Sequence, residues 1–178
     1  MQESQNFLSV AETLAKRAGD LCLEIQQDLG EIHYKSKKDV VTRADIASEK
    51  LIVEGIRKAF PTHSIRTEEA GVIEGSDPRY LWIIDPVDGT VNFSRGIPLW
   101  GISIALHFEG KPLVAAVNLP KLGELYTASL GGGAFMNGKA IHVSRESDSV
   151  HAIVSNGDFN VGDAQKINEQ NSRNFARE

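Results

Sequence analysis

Cysteine, aromatic residues, basic excess and long apolar runs are all scarce in this chain. Cys22 is its single cysteine, which excludes an intrachain disulfide framework and leads us to expect a reducing, cytoplasmic setting. No apolar stretch approaches the roughly 20 residues a spanning helix needs, so no membrane segment is expected. Met1-Gln2-Glu3-Ser4-Gln5 has neither the basic nor the apolar region of a secretory leader. A net charge of −5 gives no bulk attraction for nucleic acid. An anionic substrate would therefore need local help, which a bound cation supplies. Gly131-Gly132-Gly133 is followed by no Lys-Ser or Lys-Thr at phosphate-loop spacing and reads as a loop between strands. His63, His107 and His142 form no metal-spacing pair. Ser103 and Cys22 have no base nearby in sequence, so neither is expected to act as a nucleophile.

What is present suits a globular protein. The 178 residues are 41% hydrophobic and 24% charged, enough for one sizeable core or for one domain and part of a second. Residues 7–27 read as a helix with Leu14, Ala18, Leu21 and Ile25 on one face; Gly19 inside it weakens the pattern. A loop with Lys35, Lys37 and Lys38 follows. Asp39-Val40-Val41-Thr42 then leads into a second helix, 44–60, with an apolar stripe of Leu51, Ile52, Ile56 and Ala59 and a stop at Pro61. Beyond it come short strands: 63–65, 81–84, 101–108, 113–119, 124–129, 133–136, 140–143 and 152–155. Glu109-Gly110-Lys111 and Asn137-Gly138 mark hairpins. A polar tail holds one more candidate helix, 163–177. Two helices ahead of mostly antiparallel strands predict an α+β layer architecture, and a final helix with no partner element after it suggests a domain cut short.

The most informative stretch is Trp82-Ile83-Ile84-Asp85-Pro86-Val87-Asp88-Gly89-Thr90-Val91-Asn92-Phe93. An apolar run ends in two carboxylates three residues apart, with a glycine and a hydroxyl directly after. An ordinary strand-to-loop turn uses the same residue types. The pattern also suits a divalent cation beside a phosphate. Hard carboxylate oxygens match magnesium, which keeps waters and takes a substrate phosphate as a further ligand. Gly89 lets backbone approach a ligand, and a helix opening at Thr90 would turn the Gly89 and Thr90 amides toward an anion.

Glu68-Glu69 places adjacent acids in one loop, which is unfavourable unless a cation sits there; a solvated acidic loop is the plain alternative. Asp45 stands at capping-box spacing from Thr42, a structural role that leaves it able to accept a proton from a neighbouring hydroxyl. Lys35, Lys37 and Lys38 read as a solvated loop, or as an attractor for a phosphorylated substrate.

Together these segments resemble the inositol monophosphatase family of magnesium-dependent, lithium-sensitive phosphatases. The resemblance rests on 82–93, on Asp39-Val40-Val41-Thr42-Arg43-Ala44-Asp45 and on the hairpin 131–138; Val91 departs from the usual threonine. It implies the layered fold of that family and of fructose-1,6-bisphosphatase, with an α+β metal-binding domain over 1–150 and the start of an incomplete α/β domain over 151–178. It implies two or three Mg²⁺ ions. Glu68, Asp85 and the Val87 carbonyl would hold the first, Asp85 and Asp88 the second, and Glu68 a third through water with Glu69 close by. Thr90 would hold the attacking water and Asp45 would take the proton of Thr90. The amides of Gly89 and Thr90, with Asp88 and Lys35, would meet the substrate. The implied reaction is hydrolysis of a small polyol phosphate, inositol 1-phosphate foremost, by a cytoplasmic homodimer.

The family's second signature, whose aspartate completes the second metal site, is not found in these 178 residues, so an N-terminal portion of such a protein is expected. Related substrates stay open: a 3′-phosphoadenosine nucleotide, fructose bisphosphate or histidinol phosphate. Haloacid dehalogenase phosphatases space their two acids two apart, against three for Asp85 and Asp88. A regulatory binding protein with the same fold is the alternative of another class; Asp45, Glu68, Asp85, Asp88 and Thr90 all being in place favours the enzyme.

Overall fold

One eight-stranded sheet organises the chain, in the order β10-β9-β8-β7-β6-β5-β3-β4. The structure is a computed structural model and describes residues 2–30, 33–34, 40–148 and 150–151. The first half contains α1 (Gln2–Gln26), β1 (His33–Tyr34), β2 (Val40–Val41), α2 (Arg43–Ala59), β3 (His63–Thr67) and β4 (Val72–Ile73). The second contains β5 (Asp77–Asp88), α3 (Thr90–Ser94), β6 (Gly101–Phe108), β7 (Lys111–Leu119), β8 (Glu124–Ser129), β9 (Gly133–Met136) and β10 (Lys139–Ile141). β3 and β5 run parallel; the other neighbours in the sheet are antiparallel. β1 and β2 form a separate two-stranded pair. The expected α+β layering is what the fold shows.

Alternation along β6 and β7 sends Ile102, Ile104, Leu106, Val114 and Ala116 to one buried face. There α1 and α2 cover the sheet. The buried stripe of α1 is Phe7, Ala11, Leu14, Ala15, Ala18 and Cys22, while Leu21 and Ile25 are only half-buried. The buried face is thus rotated from the expected one: small residues, rather than the bulkier aliphatics, let α1 lie close to β7. Gly19 belongs to that approach. A Cβ there would run into Asn118 Nδ2 and stand 2.7 Å from Pro120 Cγ. Asn118 Nδ2 itself donates to the Ala15 carbonyl at 3.0 Å.

In α2 the buried line is Ala44, Ser48, Ile52 and Ile56, spaced by four; Ala59 is exposed and Leu51 half-buried, contrary to the expected stripe. Asp45 and Glu49 are buried beside it. Three polar residues in the first half of a core-facing helix need partners, and the site provides them.

β5 is longer than the expected 81–84. It runs twelve residues, keeps its pairing with β6 through Asp85↔Ser103, and breaks register before Asp88↔Gly101. Extra residues on one strand there form a bulge, a device that re-aims side chains. Its N-terminal half is anchored in an aromatic cluster: Trp82 Nε1 donates to His63 Nδ1 at 3.1 Å, and His63 stacks on Tyr80 at 4.3 Å. Both two-residue hairpins adopt left-handed angles at each central residue, Glu109-Gly110 (φ 50° and 78°) and Asn137-Gly138 (φ 49° and 76°). The candidate strand 152–155, the helix 163–177 and nearly all of the proposed second unit lie outside the described residues, as do Lys35, Lys37 and Lys38. Among the described residues no helix is long and apolar enough to cross a membrane.

Candidate active site

The N-terminus of α2 is built by Thr42 and Asp45. Thr42 takes an extended backbone and its hydroxyl accepts from the Ala44 amide at 3.1 Å. Asp45 Oδ2 accepts from the Thr42 amide at 2.8 Å and from the Thr42 hydroxyl at 2.7 Å. This closes the reciprocal capping box. The other oxygen, Oδ1, is left to accept from Thr90 Oγ1 at 3.0 Å. Thr90 Oγ1 is also 2.9 Å from the Val87 carbonyl. A hydroxyl has one proton, so Asp45 and Val87 compete for it.

Further along α2, Ser48 Oγ donates to the Pro86 carbonyl at 2.8 Å. Glu49 Oε2 accepts from the amides of Glu69 (3.1 Å) and Ala70 (3.2 Å). On β5, the Val87 amide donates to Asp85 Oδ1 at 3.2 Å. The chain then turns at Gly89, with φ 84° and ψ 39°, into the short helix α3. That left-handed angle is the reason for a glycine here.

These turns surround a cavity of about 260 Å³ lined by Val40, Glu68, Asp85, Val87, Asp88, Gly89, Thr90, Val91 and Asn92. Six residues singled out from sequence, Glu68, Asp85, Val87, Asp88, Gly89 and Thr90, thus share one cavity. Asp45 lies just behind it, 1% exposed, and reaches it through Thr90. Lys35 is outside the described residues. The missed residues are Ser48 and Glu49, which tie the loops to α2, and Asn92, whose Nδ2 donates to the Leu99 carbonyl at 2.7 Å.

Burial, followed by repulsion from Glu68 and then Asp88, pushes the Asp85 carboxyl up to about 7 from 3.8; the Val87 amide opposes this, and a side-chain hydrogen bond with Glu68 adds to it. Carboxylates gathered close together in a partly buried place behave this way. Among the described residues no three Asp, Glu, His or Cys side chains close into a complete metal-coordination cluster. What stands there is an open, oxygen-rich cavity with one carboxylate reluctant to ionise. A hard divalent cation fits that donor set and would relieve the repulsion.

The sequence profile of the inositol monophosphatase family matches residues 3–176. The chain belongs to the inositol monophosphatase family. It is 41% identical over 177 residues to the Nus factor SuhB of Pseudomonas aeruginosa, covering 97% of this chain and 65% of that protein. It is 41% identical over 156 residues to inositol monophosphatase 2 of Solanum lycopersicum, covering 85% of this chain and 58% of that protein. The chain therefore spans under two thirds of the length of these relatives. Among solved structures, the extragenic suppressor protein suhB of Bartonella henselae superposes with a TM-score of 0.76 at 35% identity, over 79% of this chain and 55% of that one. An IMPase/NADP phosphatase complexed with Mg²⁺ and phosphate gives 0.64 at 28% identity, over 70% and 48%. The inositol monophosphatase fold is therefore shared.

Proposed function

We propose that this site hydrolyses the phosphomonoester of a small polyol, inositol 1-phosphate first, in a Mg²⁺-dependent reaction. The observation that carries the reading is the convergence of Glu68, Asp85 and Asp88 with the Gly89-Thr90 turn in one cavity, backed by the part-buried Asp45–Thr90 hydrogen bond. Glu68, Asp85, Asp88 and the Val87 carbonyl would hold two or three magnesium ions. Bound there, magnesium would acidify water and neutralise charge on the phosphoryl oxygens. Thr90 donates its proton to Asp45 Oδ1 and so turns an Oγ1 lone pair outward to accept from, and orient, the attacking water. Asp45 Oδ2 is occupied by Thr42, which leaves only Oδ1 for this task. Gly89 caps α3 with no side chain, keeping backbone open to a phosphate.

The cavity is smaller than the roughly 300–1,000 Å³ of pockets that enclose a whole small molecule. It suits a phosphate with its cations, and discrimination among polyols would lie outside it. A 3′-phosphoadenosine nucleotide, fructose bisphosphate or histidinol phosphate would present the same phosphate. The family resemblance extends the reading to a homodimer, to lithium sensitivity and to an electrostatic role for Lys35. The Pseudomonas relative is named a Nus factor, which favours, as a second reading, a regulatory binding role on the same fold.

Phosphate release from inositol 1-phosphate, with magnesium titrated and lithium added, separates the two. Release that needs magnesium and falls with lithium supports the enzyme. Absence of release at any magnesium concentration, from this and the related phosphates, by both this chain and one extended to the length of its relatives, favours the binding role.

A further inference from the structure

One stretch of α2, from Asp45 to Glu49, is hydrogen-bonded to three segments beside the cavity. Asp45 meets Thr90, Ser48 holds the Pro86 carbonyl between Asp85 and Val87, and Glu49 holds the loop after Glu68. We propose that Glu49 is a positioning residue for the cation: by gripping the Glu69 and Ala70 amides through one oxygen, it sets where Glu68 stands and so sets the cavity's affinity for a divalent metal. This rests on the metal reading given above.

The physical case is local. Glu49 is 9% exposed, and a buried carboxylate is tolerated when charge-assisted hydrogen bonds satisfy it. Both of its bonds end on Oε2, at 3.1 and 3.2 Å. The loop is otherwise closed by its own short-range bonds, Thr67 N to the Gly71 carbonyl at 2.8 Å and Ala70 N to Thr67 Oγ1 at 3.0 Å. β3 ties the start of the loop to β5, with Thr67 beside Ile84. Glu49 adds a part-buried hold on its second half, at the Glu69 and Ala70 amides, from twenty residues away in sequence. Glu68 carries its side chain at the exposed edge of the cavity, where a small tilt of the loop would move a ligand oxygen out of reach. Residues that orient metal ligands in this way typically change affinity by about 10- to 100-fold when removed.

The test is Mn²⁺ binding to the 178-residue chain, read by electron paramagnetic resonance, with Mg²⁺ as competitor and thermal unfolding recorded alongside. Glu49→Ala should weaken Mn²⁺ by about 10-fold or more. Glu49→Gln should bind close to the unaltered chain, because one carbonyl oxygen can accept both amides. Glu49→Asp keeps the charge, is one methylene short, and should lose affinity; it also serves if the alanine variant does not fold. Glu49→Ala or Glu49→Asp binding Mn²⁺ as the unaltered chain does would overturn the proposal and leave the metal reading intact. So would Glu49→Gln losing as much as Glu49→Ala, which would assign the effect to charge. An unaltered chain that shows no Mg²⁺-competed Mn²⁺ binding would remove the metal reading itself.

Discussion

Thr90 Oγ1 donates to Asp45 Oδ1 at 3.0 Å, and the same carboxyl caps α2 with its other oxygen. One aspartate therefore serves the fold and the cavity at once. The two roles sit on different atoms, which makes them separable.

Asp45→Asn exploits that separation. The asparagine carbonyl can take the place of Oδ2 and keep both bonds from Thr42. Its amide then faces Thr90 and donates to Oγ1, so the Thr90 proton turns to the Val87 carbonyl 2.9 Å away. No carboxylate is then left to take the Thr90 proton, and the hydroxyl is turned from its native orientation. Phosphate release should fall by about 100-fold or more, the scale of lost proton-transfer assistance. The melting temperature should move little. A variant that unfolds early while its remaining folded fraction turns over normally would show that Asp45 only caps.

Gly19 sets two effects against each other. Replacing a mid-helix glycine with alanine ordinarily gains up to about 1 kcal/mol. Here the new Cβ would meet Asn118 Nδ2 and Pro120 Cγ, and overpacking of that kind costs about 1–3 kcal/mol. The steric clash should outweigh the gain in helix preference. Gly19→Ala is expected to destabilise the chain in urea titration, with the Asn118–Ala15 bond lost in the process.

What was legible in sequence was local, and what was missed was tertiary. The 82–93 segment, the Thr42–Asp45 cap and the Asn137-Gly138 turn each define themselves within a few residues. Ser48 and Glu49 do not. Their partners lie 38 and 20 residues away, and a serine and a glutamate on a helix carry no signal of which loop they hold. Their position offered a clue: both fall on the buried side of α2, where a polar residue needs a reason. The α1 face is misplaced when large aliphatics are weighed above Ala11, Ala15 and Cys22, whose small size is what lets helix and sheet approach. β5 reads as ending at Ile84 because acids mark strand ends, whereas the bulge keeps the strand going through Asp88.

Gly89 tests the turn itself. At φ 84° a side chain costs about 1–2 kcal/mol, and a Cβ would sit 3.1 Å from the Leu99 carbonyl. Gly89→Ala should lower the melting temperature and weaken inorganic phosphate binding together, because the strained turn lines the cavity. Lower stability with phosphate affinity intact would place the anion elsewhere.

Asp85 gives a pH dependence whose sign can be fixed in advance. In the metal-free fold its carboxyl is pushed from 3.8 up to about 7, chiefly by burial and then by Glu68 and Asp88. Between those values the folded chain holds a proton that the unfolded chain has released. The stabilisation tied to this group is therefore complete below about pH 4 and is lost as pH rises toward 7. Asp85→Asn cannot ionise, so its stability should slope less over that window and should equal or exceed that of the unaltered chain at about pH 8 in EDTA. Magnesium should reverse the ordering: it favours the charged carboxylate, so its stabilising effect should grow with pH in the unaltered chain and vanish in Asp85→Asn. Thermal melts at a series of pH values, with EDTA and with magnesium, measure both. Equal magnesium shifts in the two proteins would remove Asp85 from the metal site.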